Sequence, residues 1–226
     1  KGQRMLRLGS AQEMMTSVSR VTVAMSIAVA VACGGVVWAE KLDEGLLDVA
    51  WFGADVEFRA TDEIDYLWVK PGFDLAGRTL HVDAWDDPVM LAKKKRDAKD
   101  AAKASELTDT FPGRLRGALT YALDGIATVA RKEGDVVVVG RIVDCNAGSK
   151  AAKWIVGMGA GASNATWDLK FVDRASGELL LAVHHRAVSG TTMSEIDDKI
   201  IKWLEKFGEV LKEGATRAWE KGKSVK

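Results

Sequence analysis

Ala165-Thr166-Trp167-Asp168-Leu169-Lys170-Phe171, then Asp173-Arg174-Ala175-Ser176-Gly177-Glu178, then Leu179–His185, is the stretch on which the reading of the fold rests. Successive side chains of a strand point to opposite faces, so Ala165, Trp167, Leu169 and Phe171 share one face and Thr166, Asp168 and Lys170 the other. The turn formers between the two runs make the pair a β-hairpin. Working outward, Val136–Val139 with Ile142 and Val143 is a continuous β-branched run, which reads as a central strand covered on both faces. Thr79–Trp85 alternates as well, with Leu80, Val82 and Ala84 opposite Thr79, His81, Asp83 and Trp85.

Helical periodicity fills the gaps. Asp86-Asp87-Pro88 opens a run of helix formers over Met90–Leu107, and Phe111-Pro112 is expected to break it and start a second helix. That second helix carries Leu115, Leu119, Ala122, Ile126 and Val129 as one stripe, with Gly134 as its stop. Near the C-terminus Ile196, Ile200, Trp203, Leu204, Phe207 and Leu211 form another stripe, and Ser194 with Asp197 has the spacing of a capping box. The tail Gly222–Lys226 is expected to fray. The sum is an α/β (α+β) domain over residues 70–222, a single small mixed sheet with packed helices in the order β-α-β-β-β-α. Residues 40–69 show no sustained period and end at Pro71-Gly72, so they read as a lead-in arm.

Residues 1–39 read as an address. Arg20, the apolar run Val21–Cys33 and the small residues Val37 and Ala39 follow one another as the three regions of a secretory signal, with Glu40 as the first mature residue. Cys33 opens a second route, lipoprotein processing, although Ala30-Val31-Ala32 lacks the usual leucine three positions before the cysteine. An uncleaved anchor is a third reading of Val21–Ala39. The expected location is therefore the periplasm, or its membrane surface through a lipid. Cys145 is the other cysteine, and loss of the signal leaves it as a lone thiol without an internal disulfide.

Charge narrows the partners. Thirty-two Lys and Arg balance thirty-two Asp and Glu, and the two signs interleave along the chain, which is no surface for nucleic acid. Gly157-Met158-Gly159-Ala160-Gly161 lacks the strand before and helix after that a phosphate loop needs, and no Gly-Lys-Ser/Thr closes it. His184 and His185 are adjacent on a strand and face opposite ways, so they cannot bind one ion together; His81 and Cys145 complete the thin supply of metal ligands. No Gly-x-Ser-x-Gly element occurs. No catalytic residue, metal site or cofactor is expected. The apolar, glycine-laced segment of Trp154, Ile155, Gly157, Met158, Gly159 and Gly161 has two readings: close backbone packing or a flexible apolar edge within the domain, or a candidate contact surface where alternating glycines let a second backbone or a membrane approach.

Pro71-Gly72-Phe73-Asp74-Leu75, Gly157–Ala162 and the strand-turn-strand around Asp173-Arg174-Ala175-Ser176-Gly177 together resemble an uncharacterised family of exported bacterial proteins, many of them lipoproteins. More distantly, the element order resembles the small α/β periplasmic domain of the curli-secretion pore lipoprotein. The resemblance spans Val69–Val188 and implies no functional residues. The expectation is a non-enzymatic cell-envelope protein acting by binding or assembly, through an envelope protein partner, self-association or membrane contact. The alternative is an enzyme or small-ligand binder using a pocket near Asp144–Lys153 and His184.

Overall fold

The computed structural model describes residues 46–53, 56–92, 95–149, 161–189 and 195–225. Along the chain run helix α1 (Val49–Phe52), strands β1 (Arg59–Ala60), β2 (Tyr66–Val69) and β3 (Thr79–Val82), and helix α2 (Ala98–Ala122). Strands β4 (Thr128–Ala130), β5 (Val136–Asn146), β6 (Asn164–Asp173) and β7 (Leu179–Val188) follow, then α3 (Ile196–Glu213), α4 (Ala215–Lys221) and β8 (Lys223–Ser224). The described strands make one mixed sheet in the order β4-β3-β5-β6-β7-β2-β1-β8. Strand β3 runs parallel to β4 and β5, and the other pairs are antiparallel. The mixed α/β class read from the sequence is the class observed.

The hairpin forms as read, Trp167 pairing with His185 and Leu169 with Val183. Ala165, Trp167, Leu169 and Phe171 are all fully buried on the face that meets the helices. The six-residue stripe of α3 lies buried against them. Aromatic rings join the layers: Phe111 stacks on Trp85 with centroids 4.4 Å apart and lies 5.1 Å from Trp167, which meets Trp203 edge-on at 4.9 Å. Gly140 of β5 allows this, because a Cβ there would come within 2.5 Å of the Trp85 ring.

Several expectations are corrected. The helix does not begin at Met90: the chain stays extended past β3, and the Val89 and Leu91 N–H groups donate to the Ile142 and Val143 carbonyls beyond the reach of β3. The start is set by a different capping box, in which Asp97 accepts from the Lys99 and Asp100 N–H groups and Asp100 accepts from that of Asp97. Nor does Pro112 break the helix. An interior proline costs about 3 kcal/mol, but here Phe111, Pro112 and Leu115 are all buried, so tertiary packing outweighs the local penalty. The helix ends at Ala122; Val129 belongs to β4, and Gly134 lies between β4 and β5 rather than stopping a helix. Trp85 and Ala84 exchange their expected sides because β3 ends at Val82, so Trp85 is buried and Ala84 exposed.

The remaining corrections concern the edges of the domain. The stretch read as a lead-in arm supplies β1 and β2, and β2 pairs along β7 from Tyr66–His184 to Val69–Leu181. The tail expected to fray forms β8 on β1. Glu195 precedes α3, and its N–H donates to Asp198 at 3.3 Å; Ser194 lies outside the described residues. Coverage of β5 on both faces holds for Gly140–Cys145, whereas Val137 and Val139 are half-buried.

Candidate functional site

Two places gather polar side chains against the pattern of a plain core. The first is a row across four strands. Arg141 pairs with Asp168, Asp168 with His184, and His184 with Tyr66, so one residue each from β5, β6, β7 and β2 stands side by side on the sheet face away from α2 and α3. Arg141 Nε donates to Asp168 Oδ2 at 2.8 Å, and His184 Nδ1 lies 2.7 Å from Asp168 Oδ1. With the carboxylate as acceptor, Nδ1 carries the proton and donates. Asp168 and His184 are fully buried, and the Tyr66 ring meets the imidazole edge-on at 5.4 Å.

Residues 46–53 and Phe58 cover this row. Arg141 Nη2 reaches Asp48 at 3.2 Å, and the Trp51 ring lies 4.4 Å from the Arg141 guanidinium and 3.9 Å from Lys170 Nζ. Lys170 Nζ also donates to the Trp51 carbonyl at 3.0 Å. Phe52, Phe58 and Tyr66 continue the cover as edge-to-face rings. A buried ionic row of this kind is tolerated only when each charge has partners, and the segment 46–53 completes the set.

The second place is the end of the sheet where β5 leads to β6. Ser149 N–H donates to the Gly161 carbonyl at 3.0 Å, which ties residue 149 to residue 161 as one bonded base; residues 150–160 lie outside the described residues. Around that base Ala147 N–H donates to Asp100 Oδ1 and Lys99 Nζ to the Gly148 carbonyl, both at 2.8 Å. Gly148 has φ +68°, and a Cβ there would meet the Gly161 oxygen at 2.6 Å, so only glycine fits. Ser163 and Ser189 bond hydroxyl to hydroxyl just below, at 2.8 Å.

Of the residues singled out from sequence, Gly161 belongs to this base. Trp154, Ile155, Gly157, Met158, Gly159 and Cys33 lie outside the described residues. Asp144 and His184, named together for a pocket, do share a sheet face: Asp144 pairs with Thr166 in the row next to that of His184. Among the described residues they do not converge on an open space, and residues 150–153 of the stretch Asp144–Lys153 lie outside those residues. The Asp144 carboxylate accepts from Arg96 Nε and Nη2, and the His184 imidazole is turned to Asp168. A surface recess lies elsewhere, on the outer side of α3 between Asp198, Ile201, Lys202 and Glu205. His185 faces the helices, stacked on Trp203 at 5.0 Å and 3.1 Å from Asp65. Among the described residues no group of His, Cys, Asp and Glu is arranged to hold a metal, and no helix is long and apolar enough to cross a membrane.

The sequence reading missed the row because Thr166, Asp168 and Lys170 read as the far side of a hairpin, with nothing to say what lay over it. Thr166 and Asp168 are fully buried. The signal was present in Arg141, an unbroken charge within a β-branched run, and in the aromatic residues Trp51, Phe52 and Phe58 upstream.

Fold and site together define a small mixed α/β domain with an ionic row sealed under its own N-terminal segment. Residues 69–206 match the model of a family described as a domain of unknown function (DUF4410), and the chain belongs to that family. No curated protein matches the sequence. Among solved structures, the PelC dodecamer from Paraburkholderia phytofirmans is similar at a TM-score of 0.43 with 8% identity, and the dodecamer of its leucine-to-methionine variant at 0.41 with 10% identity. The match covers 65% of this chain and 94% or 95% of PelC. A DUF330 protein from Xanthomonas campestris is similar at a TM-score of 0.36 and 13% identity, over 66% of this chain and 88% of that one.

Proposed function

We propose that this protein is exported to the cell envelope and acts there by binding or assembly rather than by catalysis, with the segment between Ser149 and Gly161 as its contact surface. The observation that carries the proposal is the closed base at Ser149 and Gly161. The sequence between these two bonded residues interleaves Trp154, Ile155, Val156 and Met158 with Gly157 and Gly159. Apolar side chains beside bare backbone favour close approach of a second chain or of a lipid surface. The buried polar side chains support the non-catalytic reading, since Asp144, Asp168 and Arg141 are engaged with one another or with Arg96 and Asp48, and the His184 Nδ1 atom is turned to Asp168.

Export is supported by the order of Arg20, Val21–Cys33 and Ala39. The test is expression with the native N-terminal residues, fractionation, and mass spectrometry of the N-terminus. A chain starting at Glu40, or at an acylated Cys33, is the expected product. Full-length protein in the cytoplasm contradicts the proposal. Cys33→Ser separates the two routes, releasing a lipid-held protein from the membrane and leaving a soluble one where it was.

A further inference from the structure

The segment 46–53 lies across the sheet as a ligand would lie in a site. It adds no strand to the sheet. Its helix α1 has four residues, too few to be stable alone, and no side chain caps it. Besides the burial of Leu46 and Phe52, polar recognition contacts join it to the domain: the Asp48 carboxylate on Arg141, the Trp51 ring against both Arg141 and Lys170, and the Trp51 carbonyl on Lys170. Beneath Asp48 and Trp51 the face presents two cations, Arg141 and Lys170; Asp168 is shared by Arg141 and His184, Asp144 in the next row is paired with Arg96, and Asp86 also acts on Lys170. Burial first, and then the Arg141 guanidinium, holds the Lys170 ammonium below its usual range. Two neighbouring cations that both lie over one aromatic ring, one of them also bonded to the Asp48 carboxylate, select an acidic, aromatic peptide.

We propose that the sheet face of Arg141, Lys170 and His184 is a peptide-binding site filled in cis by Asp48 and Trp51, and that release of this strap opens it to the same acidic-aromatic segment in trans. Release breaks no strand pairing, so the sheet stays folded when the strap leaves. The strap is then a local opening that costs less than global unfolding. A trans segment competes with the strap, and its apparent affinity is lowered by the fraction of molecules that are closed.

The test uses the full-length chain and a fluorescent peptide of residues 43–58. Anisotropy should show the peptide binding the Asp48→Asn/Trp51→Ala chain about tenfold or more tightly than the wild-type chain, because the weakened strap competes less. Adding Lys170→Met to that chain should abolish the gain. His184 should be acylated by diethyl pyrocarbonate in the strap variant under conditions where the wild type is protected, with the global melting temperature read alongside. Asp48→Asn alone, which keeps the apolar contacts, guards against a misfolded double variant and should show the same order with a smaller gap. Equal peptide binding to both chains, no binding to the folded variants, or His184 labelling that appears only on global melting overturns the proposal.

Discussion

Asp168 on β6 lies directly opposite His184 on β7, and the His184 Nδ1 atom is 2.7 Å from the Asp168 carboxylate with both side chains wholly buried. The same carboxylate accepts from Arg141 Nε at 2.8 Å, so one acid serves a cation and an imidazole at once. Replacing it leaves the buried guanidinium short of its main counter-charge. Asp168→Asn is therefore expected to cost about 3–5 kcal/mol in a denaturant titration, as breaking a buried ion pair from one side does. His184→Phe keeps a ring against Tyr66 and leaves the Arg141 pair intact, and should cost clearly less. Equal losses would show that the row is not organised around Asp168.

Asp197 ties α3 to α2, accepting from Lys103 Nζ and Arg114 Nη1 at 2.7 Å each. Burial pushes its carboxyl up, but the hydrogen bonds and charges of Lys103 and Arg114 prevail and hold it below the ordinary 3.8. Asp65 behaves alike: burial is the largest effect and works against the carboxylate, but the His185 bond and charge, the Arg186 N–H bond and the His184 charge together outweigh it. A carboxyl lowered by folding adds stability above its unfolded value and loses it as pH falls through the folded one. Stability should therefore fall as the pH drops below about 4. In Asp197→Asn the acid loss should be shallower, with a deficit at pH 7 that shrinks toward low pH; parallel curves for the two proteins contradict this.

Cys145 is fully buried, and burial, then the Asp144 and Asp100 carboxylates, push its thiol up to about 12 from 9.0. Only the thiolate reacts quickly. Iodoacetamide at pH 8 should leave Cys145 unmodified in the folded protein and label it in guanidinium, read residue by residue by mass spectrometry. Rapid labelling in native buffer would mean that this end of β5 opens freely.

Trp167 joins the rings of Phe111 and Trp203, and its truncation to alanine should cost about 3–5 kcal/mol. Its neighbour Thr166 is equally buried, but its hydroxyl has no partner among the described residues. Thr166→Ala should stay within about 1 kcal/mol, because it removes a polar group that gains nothing from burial. Guanidinium melts of both variants check the contrast.

The elements with a clean period were legible in the sequence. The hairpin and the stripe of α3 follow from alternation of two and spacing of three to four, which local residues settle by themselves. What escaped depends on distant partners. Pro112 sits in a helix because Phe111 and Leu115 are buried on either side of it, which no local rule encodes. Strands β1 and β2 are short, with mixed composition, and become strands by pairing with β8 and β7. The ionic row was hidden for a related reason: Arg141, Asp168 and His184 are far apart in the chain, and register alone puts them side by side. The bonded base at the end of β5 was half legible, since Gly161 was singled out while its partners Ser149 and Gly148 were not.

The central claim is that the segment between Ser149 and Gly161 carries association and not only packing. Sedimentation velocity on the purified protein, beside a thermal melt, tests it through Gly159→Val. The account predicts that the wild type self-associates, and that the variant sediments as a smaller species while its melting temperature stays unchanged. A wild type that remains monomeric at every concentration, or a variant that melts earlier with its association intact, contradicts it.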